Sequence, residues 1–120
     1  MDINEEERKE RAVLVGLDMN QLDNFELYME ELRQLAKACN MEVVCVMVQN
    51  LEVPNKATLI GPGKVEEVKQ TAEALEADIV IFAQTLSPSQ LRNLQNKLQL
   101  PIMDRTSLIL EIFSKRARTR

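Results

Sequence analysis

The chain has 120 residues, 45% hydrophobic and 28% charged, which suits one globular domain with a modest core. Its 15 basic and 19 acidic residues leave a net charge of −4, so coating of nucleic acid through bulk charge is excluded, although local basic patches are not. The start MDINEEERKE is acidic and lacks an apolar run, so it is no signal peptide, and no stretch approaches the ~20 apolar residues of a membrane span; the expected location is cytoplasmic. Residues 1–10 are expected as a flexible acidic amino terminus and 11–120 as one α/β domain.

In chain order, RAVLVGLD at 11–18 is the first predicted strand. Leu22, Phe25, Met29, Leu32, Ala36 and Cys39 follow at intervals of three and four, the spacing of one helical face. EVVCVMVQ at 42–49 is the second strand, and Val65, Val68, Ala72 and Leu75 mark a second helix. DIVIFAQ at 78–84 is the third strand. All three strand runs are Val- and Ile-rich and nearly continuous, as in strands buried on both faces. Ser87, Pro88, Ser89 and Gln90 then open a helix carrying Leu91, Leu94 and Leu98: Ser87 caps it, Pro88 takes its first position and Gln90 completes a capping box. PIMDR at 101–105 is a short fourth strand, and TSLILEIFSKRA is a last helix expected to bury Leu108, Ile109, Ile112 and Phe113.

This β-α alternation implies a small open parallel four-stranded sheet, with right-handed crossovers and helices on both faces. A strand order of 2-1-3-4 is expected, which places the switch in strand order, and with it the usual ligand position, at the carboxyl ends of strands one and three.

Chemistry-bearing patterns are few. The stretch ATLIGPGKV poses the question of a phosphate cradle, but a Walker A loop needs G-x-x-x-x-G-K-[ST] and here the glycines are two apart with Val65 after Lys64. A dinucleotide fingerprint fails as well, because Glu66 stands where the third glycine belongs and the long loop LEVPNKATLI precedes it. What remains is either an anion site at a helix start, made by Gly61, Gly63 and Lys64, or glycines that only permit a tight turn. With no histidine, a Ser-His-Asp triad or Cys-His pair is missing, and no catalytic residue is assigned. A phosphoacceptor role lacks its acids, since strand three ends in Ala83 and Gln84. Cys39 and Cys45, without CxxC spacing, read as buried thiols, and no metal site is expected.

Charge is uneven: residues from Arg92 onward carry +5 and the first 91 carry −9. The basic end, with Arg92, Arg105, Lys115, Arg116, Arg118 and Arg120, is either a set of cations suited to a helix carboxyl terminus or a footprint for a phosphate backbone. With Tyr28 and three phenylalanines as the only aromatics, a base-stacking platform is excluded.

The strings ATLIGPGKVEEV, LSPSQLRNLQNKL and DRTSLILEIFSKRARTR resemble the amino-terminal domain of the HflX GTPases in order and spacing, from Arg11 nearly to the end. The resemblance implies a non-catalytic recognition domain, followed in the family by a helical hairpin and a GTPase domain that holds GTP and magnesium, with no cofactor in this chain itself. It implies association with the large (50S) ribosomal subunit and its RNA, in some members to split stalled ribosomes after stress. Some members are reported to bind ATP before the GTPase domain, which keeps an independent nucleotide-binding domain as the alternative, at Gly61, Gly63 and Lys64. The chain departs from the family where acids usually precede LSP, since Ala83, Gln84 and Thr85 stand there.

Overall fold

The computed structural model describes residues 9–118, with side chains through Ser114. Its elements follow the order β1 (Glu10–Asp18), α1 (Phe25–Ala38), β2 (Met41–Asn50), α2 (Pro62–Ala74), β3 (Ile79–Phe82), α3 (Pro88–Leu98), β4 (Ile102–Asp104) and α4 (Arg105–Arg118). The four strands are parallel in the order β2-β1-β3-β4, as the alternation of strands and helices requires.

Two apolar layers hold the sheet. On one face Val13, Val15, Leu17, Val80 and Phe82 meet Val65 and Val68 of α2 and Leu94 and Leu98 of α3. On the other, Ala12, Leu14, Ile79 and Ile81 meet Leu32 and Ala36 of α1 and Leu108 of α4. Each large aliphatic or aromatic side chain so buried contributes about 1.5–3 kcal/mol before the entropy of ordering is subtracted. Gly16 lies where α1 comes closest to the sheet, and a Cβ there would stand 2.4 Å from the Met29 sulfur. A side chain at this position would have to displace the ends of Met29 and Phe25.

The cap of α3 is as the sequence reads: the Ser87 hydroxyl accepts from Gln90 N–H at 3.1 Å, Gln90 Oε1 accepts from Ser87 N–H at 3.0 Å, and Pro88 stands in the first turn. Other expectations need correction. Leu22 is not on the face of α1, because Asn24 caps that helix through Leu27 N–H and leaves Leu22 before its start, 50% exposed. Strand β2 is not buried on both faces; as an edge strand it leaves Val46 and Val48 38% and 41% exposed. Helix α4 buries Leu108 but exposes Phe113, because it crosses only the short edge strand β4 and outruns the sheet. Glu10, assigned to the flexible terminus, already pairs with Met41 in the β1–β2 ladder, and residues 1–8 lie outside the described part. Cys39 is buried, whereas Cys45 is only partly so.

Candidate functional site

At the carboxyl ends of β1 and β3, where a ligand would be sought, Gln84 bridges the two strands, and a hollow of about 240 Å³ lies there with Leu17, Asp18, Phe25, Tyr28 and Gln84 in its lining. Gln84 Nε2 donates to the Leu17 carbonyl at 2.8 Å and its Oε1 accepts from Leu17 N–H at 3.0 Å. The amide thus imitates one further residue of β3, which as a strand ends at Phe82 while β1 runs on to Asp18. A carboxylate has no donor and could not make both bonds. An amide at this position thus fastens the two strand ends together.

The glycine-rich stretch does not turn on its glycines. Neither glycine has a left-handed backbone, and the residue that does is Leu59, at φ 66° and buried. The tight-turn role assigned to the glycines therefore falls to Leu59, at a conformational cost of about 1 kcal/mol or more that the surroundings must offset. They do so through Asn55. Its Oδ1 accepts from Ala57 N–H at 2.8 Å and Thr58 N–H at 3.0 Å, while its backbone exchanges bonds with Leu59 at 2.9 and 2.8 Å and the Thr58 hydroxyl donates to the Ile60 carbonyl at 2.7 Å. From α3, Gln90 Nε2 donates to the Asn55 carbonyl and Asn93 Nδ2 to the Ala57 carbonyl, each at 3.0 Å. The structure so joins the strings around ATLIGPGKV and LSPSQLRN, although they are distant in sequence.

Helix α2 starts from this clamp. Gly61 precedes it at φ −69°, ψ 161°, Pro62 takes its first position, and no side chain caps it. Gly61 N–H donates to Gln49 Oε1 at 2.8 Å, and Lys64 Nζ lies 3.2 Å from Glu67 on the next turn, its side chain 17% exposed. Beyond Gly63 nothing lies within 4 Å of where a Cβ would stand. Gly61, Gly63 and Lys64 are thus adjacent at a helix start that favours anions, but Lys64 is turned along its own helix. A hollow of about 520 Å³ opens beside them, between the clamp, α2 and α3, with Thr58, Pro62, Glu66, Lys69, Asn96 and Lys97 among its lining.

The predicted cations are dispersed. Arg92 is exposed on α3. Arg105 is engaged within the fold: its guanidinium carbon stands 4.1 Å from the centroid of the Tyr28 ring, Nη2 donates to the Tyr28 carbonyl at 2.7 Å and Nε to the Ala83 carbonyl at 3.3 Å. The Tyr28 hydroxyl donates to that same Ala83 carbonyl at 2.9 Å. Lys115, Arg116 and Arg118 continue the backbone of α4, and Arg120 lies outside the described residues. The lysines Lys69 and Lys97 at the hollow were not singled out in the sequence, since only the packing of α2 beside α3 brings them to one opening. Asp104, which ends β4, is buried and accepts from Leu86 N–H at 2.8 Å and Ser107 N–H at 2.9 Å, starting α4. Among the described residues no group of His, Cys, Asp and Glu could hold a metal ion, and no helix is long and apolar enough to cross a membrane.

Residues 26–114 match the family described as GTP-binding GTPase N-terminal. The chain is similar to the GTPase HflX of Caldanaerobacter subterraneus, with 43% identity over 112 residues that cover 93% of this chain and 26% of the relative. To the GTPase HflX of Escherichia coli the identity is 36% over 110 residues, covering 92% and 26%. Its fold resembles that of a GTP-binding protein from Sulfolobus solfataricus solved in complex with GDP, with a TM-score of 0.63 and 25% identity over 89% of this chain and 30% of that one. The chain spans about a quarter of the length of the curated relatives it matches.

Proposed function

Because the chain belongs to the GTP-binding GTPase N-terminal family, as the amino-terminal domain of an HflX GTPase, we propose that it serves as a non-catalytic recognition domain of a GTPase that associates with the large ribosomal subunit. GTP and magnesium belong, in this reading, to a GTPase domain outside these residues, and the 120 residues contain no G-x-x-x-x-G-K-[ST] loop to bind them. The parent protein acts in the cytoplasm and, in its ribosome-directed role, separates stalled subunits after stress.

One observation supports the recognition role: exposed Lys97 and partly buried Lys69 line, with Glu66, a 520 Å³ hollow between α2 and α3, beside the loop that Asn55 ties and Leu59 turns at φ 66°. A preformed concave surface with cations at its rim suits phosphate groups whose spacing is already set, as in folded RNA. The basic run Lys115, Arg116, Arg118 and Arg120 adds charge at the carboxyl end of the sequence. An independent ATP site at Gly61, Gly63 and Lys64 is supported less, since Lys64 pairs with Glu67 and Gly61 N–H is taken by Gln49.

The test is binding of the chain to purified large subunits at two salt concentrations, beside a variant with Lys115, Arg116, Arg118 and Arg120 changed to Gln. The native chain is expected to bind weakly and to lose affinity steeply with salt, the variant with a shallower slope. Equal binding with equal slopes removes the basic end from the footprint, and no binding by the native chain at the lower salt overturns the reading.

A further inference from the structure

We propose that the outer edge of β2 is a docking site for a cationic polypeptide segment, which adds to the sheet as a fifth strand beside α1. The bulge in β2 sets up the site. The ladder to β1 shifts register between Ala12 and Val13, so that Val44 and Cys45 both pack toward the α2–α3 side and Val46 and Val48 return to the α1 side. At Met41, 5% exposed, α1 still covers the strand; at Val46 and Val48 it no longer does, and they are 38% and 41% exposed. With Phe25 and Met29 they floor a hollow of about 240 Å³, which adjoins a second of about 540 Å³ at Phe25, Glu26 and Val48.

The edge is open to pairing. Among the described residues no strand pairs along the outer side of β2, whose ten residues MEVVCVMVQN contain no Lys, Arg or Pro. Edge strands are commonly blunted by charged residues, Pro or a bulge; β2 has its charge at Glu42 and its bulge at Val44, so the stretch from Val46 to Asn50 beyond them is the part that presents N–H and C=O groups flanked by apolar side chains. Added strands draw affinity from the main chain and specificity from alternate side chains.

Charge selects the occupant. Asp18, Asp23, Glu26 and Glu30 rim the two hollows; Arg33 pairs with Glu30 at 3.6 Å, and among the described residues no cation pairs with the other three. Such a rim repels RNA phosphates, and it repels the same rim on a second copy of the chain. Every second side chain of an added strand faces α1, so that set carries apolar residues in its middle, over Val46, Val48 and Phe25, and basic residues at its ends, against the carboxylates. This surface belongs to α1 and β2, apart from the cations of the α2–α3 side, and does not depend on the ribosomal reading.

The test uses a blocked, fluorescently labelled peptide of about eight residues whose alternate, α1-facing positions read Lys, Val, Val, Lys and whose other positions are Thr. Expected are saturable binding, hydrogen-exchange protection confined to β2, and at least about tenfold weaker binding by Asp18→Asn/Glu26→Gln and by Val46→Thr/Val48→Thr, whose circular dichroism stays native. The same peptide with the backbone nitrogens of one edge methylated should not bind. Equal binding by the methylated peptide, equal binding by a glutamate–valine peptide, protection elsewhere than β2, dimerisation through β2 in sedimentation, or protection of β2 by an RNA oligonucleotide would each overturn the proposal.

Discussion

Replacing Asn55 by Ala should destabilise the domain by about 2–3 kcal/mol, and the figure can be built from the loop. The side-chain oxygen accepts from two backbone N–H groups at 2.8 and 3.0 Å. Each neutral bond contributes about 0.5–1.5 kcal/mol net, so the two give about 1–3 kcal/mol. Thr58 is 4% exposed, so its N–H cannot exchange the lost acceptor freely for water, which moves the expectation to the upper half of that range. Leu59 also loses part of what holds it at φ 66°. Asn55→Asp keeps the acceptor oxygen and should cost much less than Asn55→Ala. Chemical denaturation of both variants measures the two free energies, and a thermal melt should fall by about 3–5 °C per kcal/mol for a domain of this size. If Asn55→Ala and Asn55→Asp melt together, the oxygen is not what holds the loop and the reasoning fails.

Leu94→Ala, at a fully buried position of α3, should cost about 2–5 kcal/mol and exposed Lys97→Ala little; equal losses on a thermal melt would mean the faces of α3 are misassigned. Gln84→Glu should cost about 1–3 kcal/mol by removing the donor to the Leu17 carbonyl, and a melt unchanged from native would show that the bridge between the strand ends contributes nothing. Gly63→Ala, at a helical position with open space around it, should stabilise by about 0.4–1 kcal/mol, and a lowered melting temperature would contradict the conformation given to α2's first turn. The 120 residues should release no phosphate from GTP, and turnover abolished by Lys64→Ala would refute that directly.

Signals that act within a few residues were legible: the alternation of strand and helix, the Ser87–Gln90 capping box and, through chain topology, the order β2-β1-β3-β4. The exposure of Val46 and Val48 was not, because hydrophobic runs look alike in central and edge strands and the difference lies in which neighbour the strand has. Here the expected order itself placed β2 at the edge, and that implication was available. Asn24 ahead of Phe25 was likewise a readable helix start that would have released Leu22 from α1. Arg105 offered no such signal. Its partners Tyr28 and Ala83 lie far off in sequence, and a guanidinium stacked on a ring reads in one dimension like any surface cation. The clamp at Asn55 was hidden for the same reason, since Gln90 and Asn93 reach it from across the fold.

The fastening of α4 at its first residues makes that helix a lever. Asp104 holds its first turn and the approach to α3 with one carboxylate, and Arg105 bolts the same turn to α1 and to the end of β3. From that fulcrum the helix runs 14 residues, about 21 Å at the usual rise. A sideways load on its far end is not absorbed by a loose joint; it arrives as torque on Tyr28 and Ala83, and through Ala83 N–H, bonded to the Val15 carbonyl at 2.8 Å, on the central strand. Arg105→Ala would soften this bearing while leaving the lever its length, so that movement of the far end would reach the middle of the sheet only through the packing of Leu108.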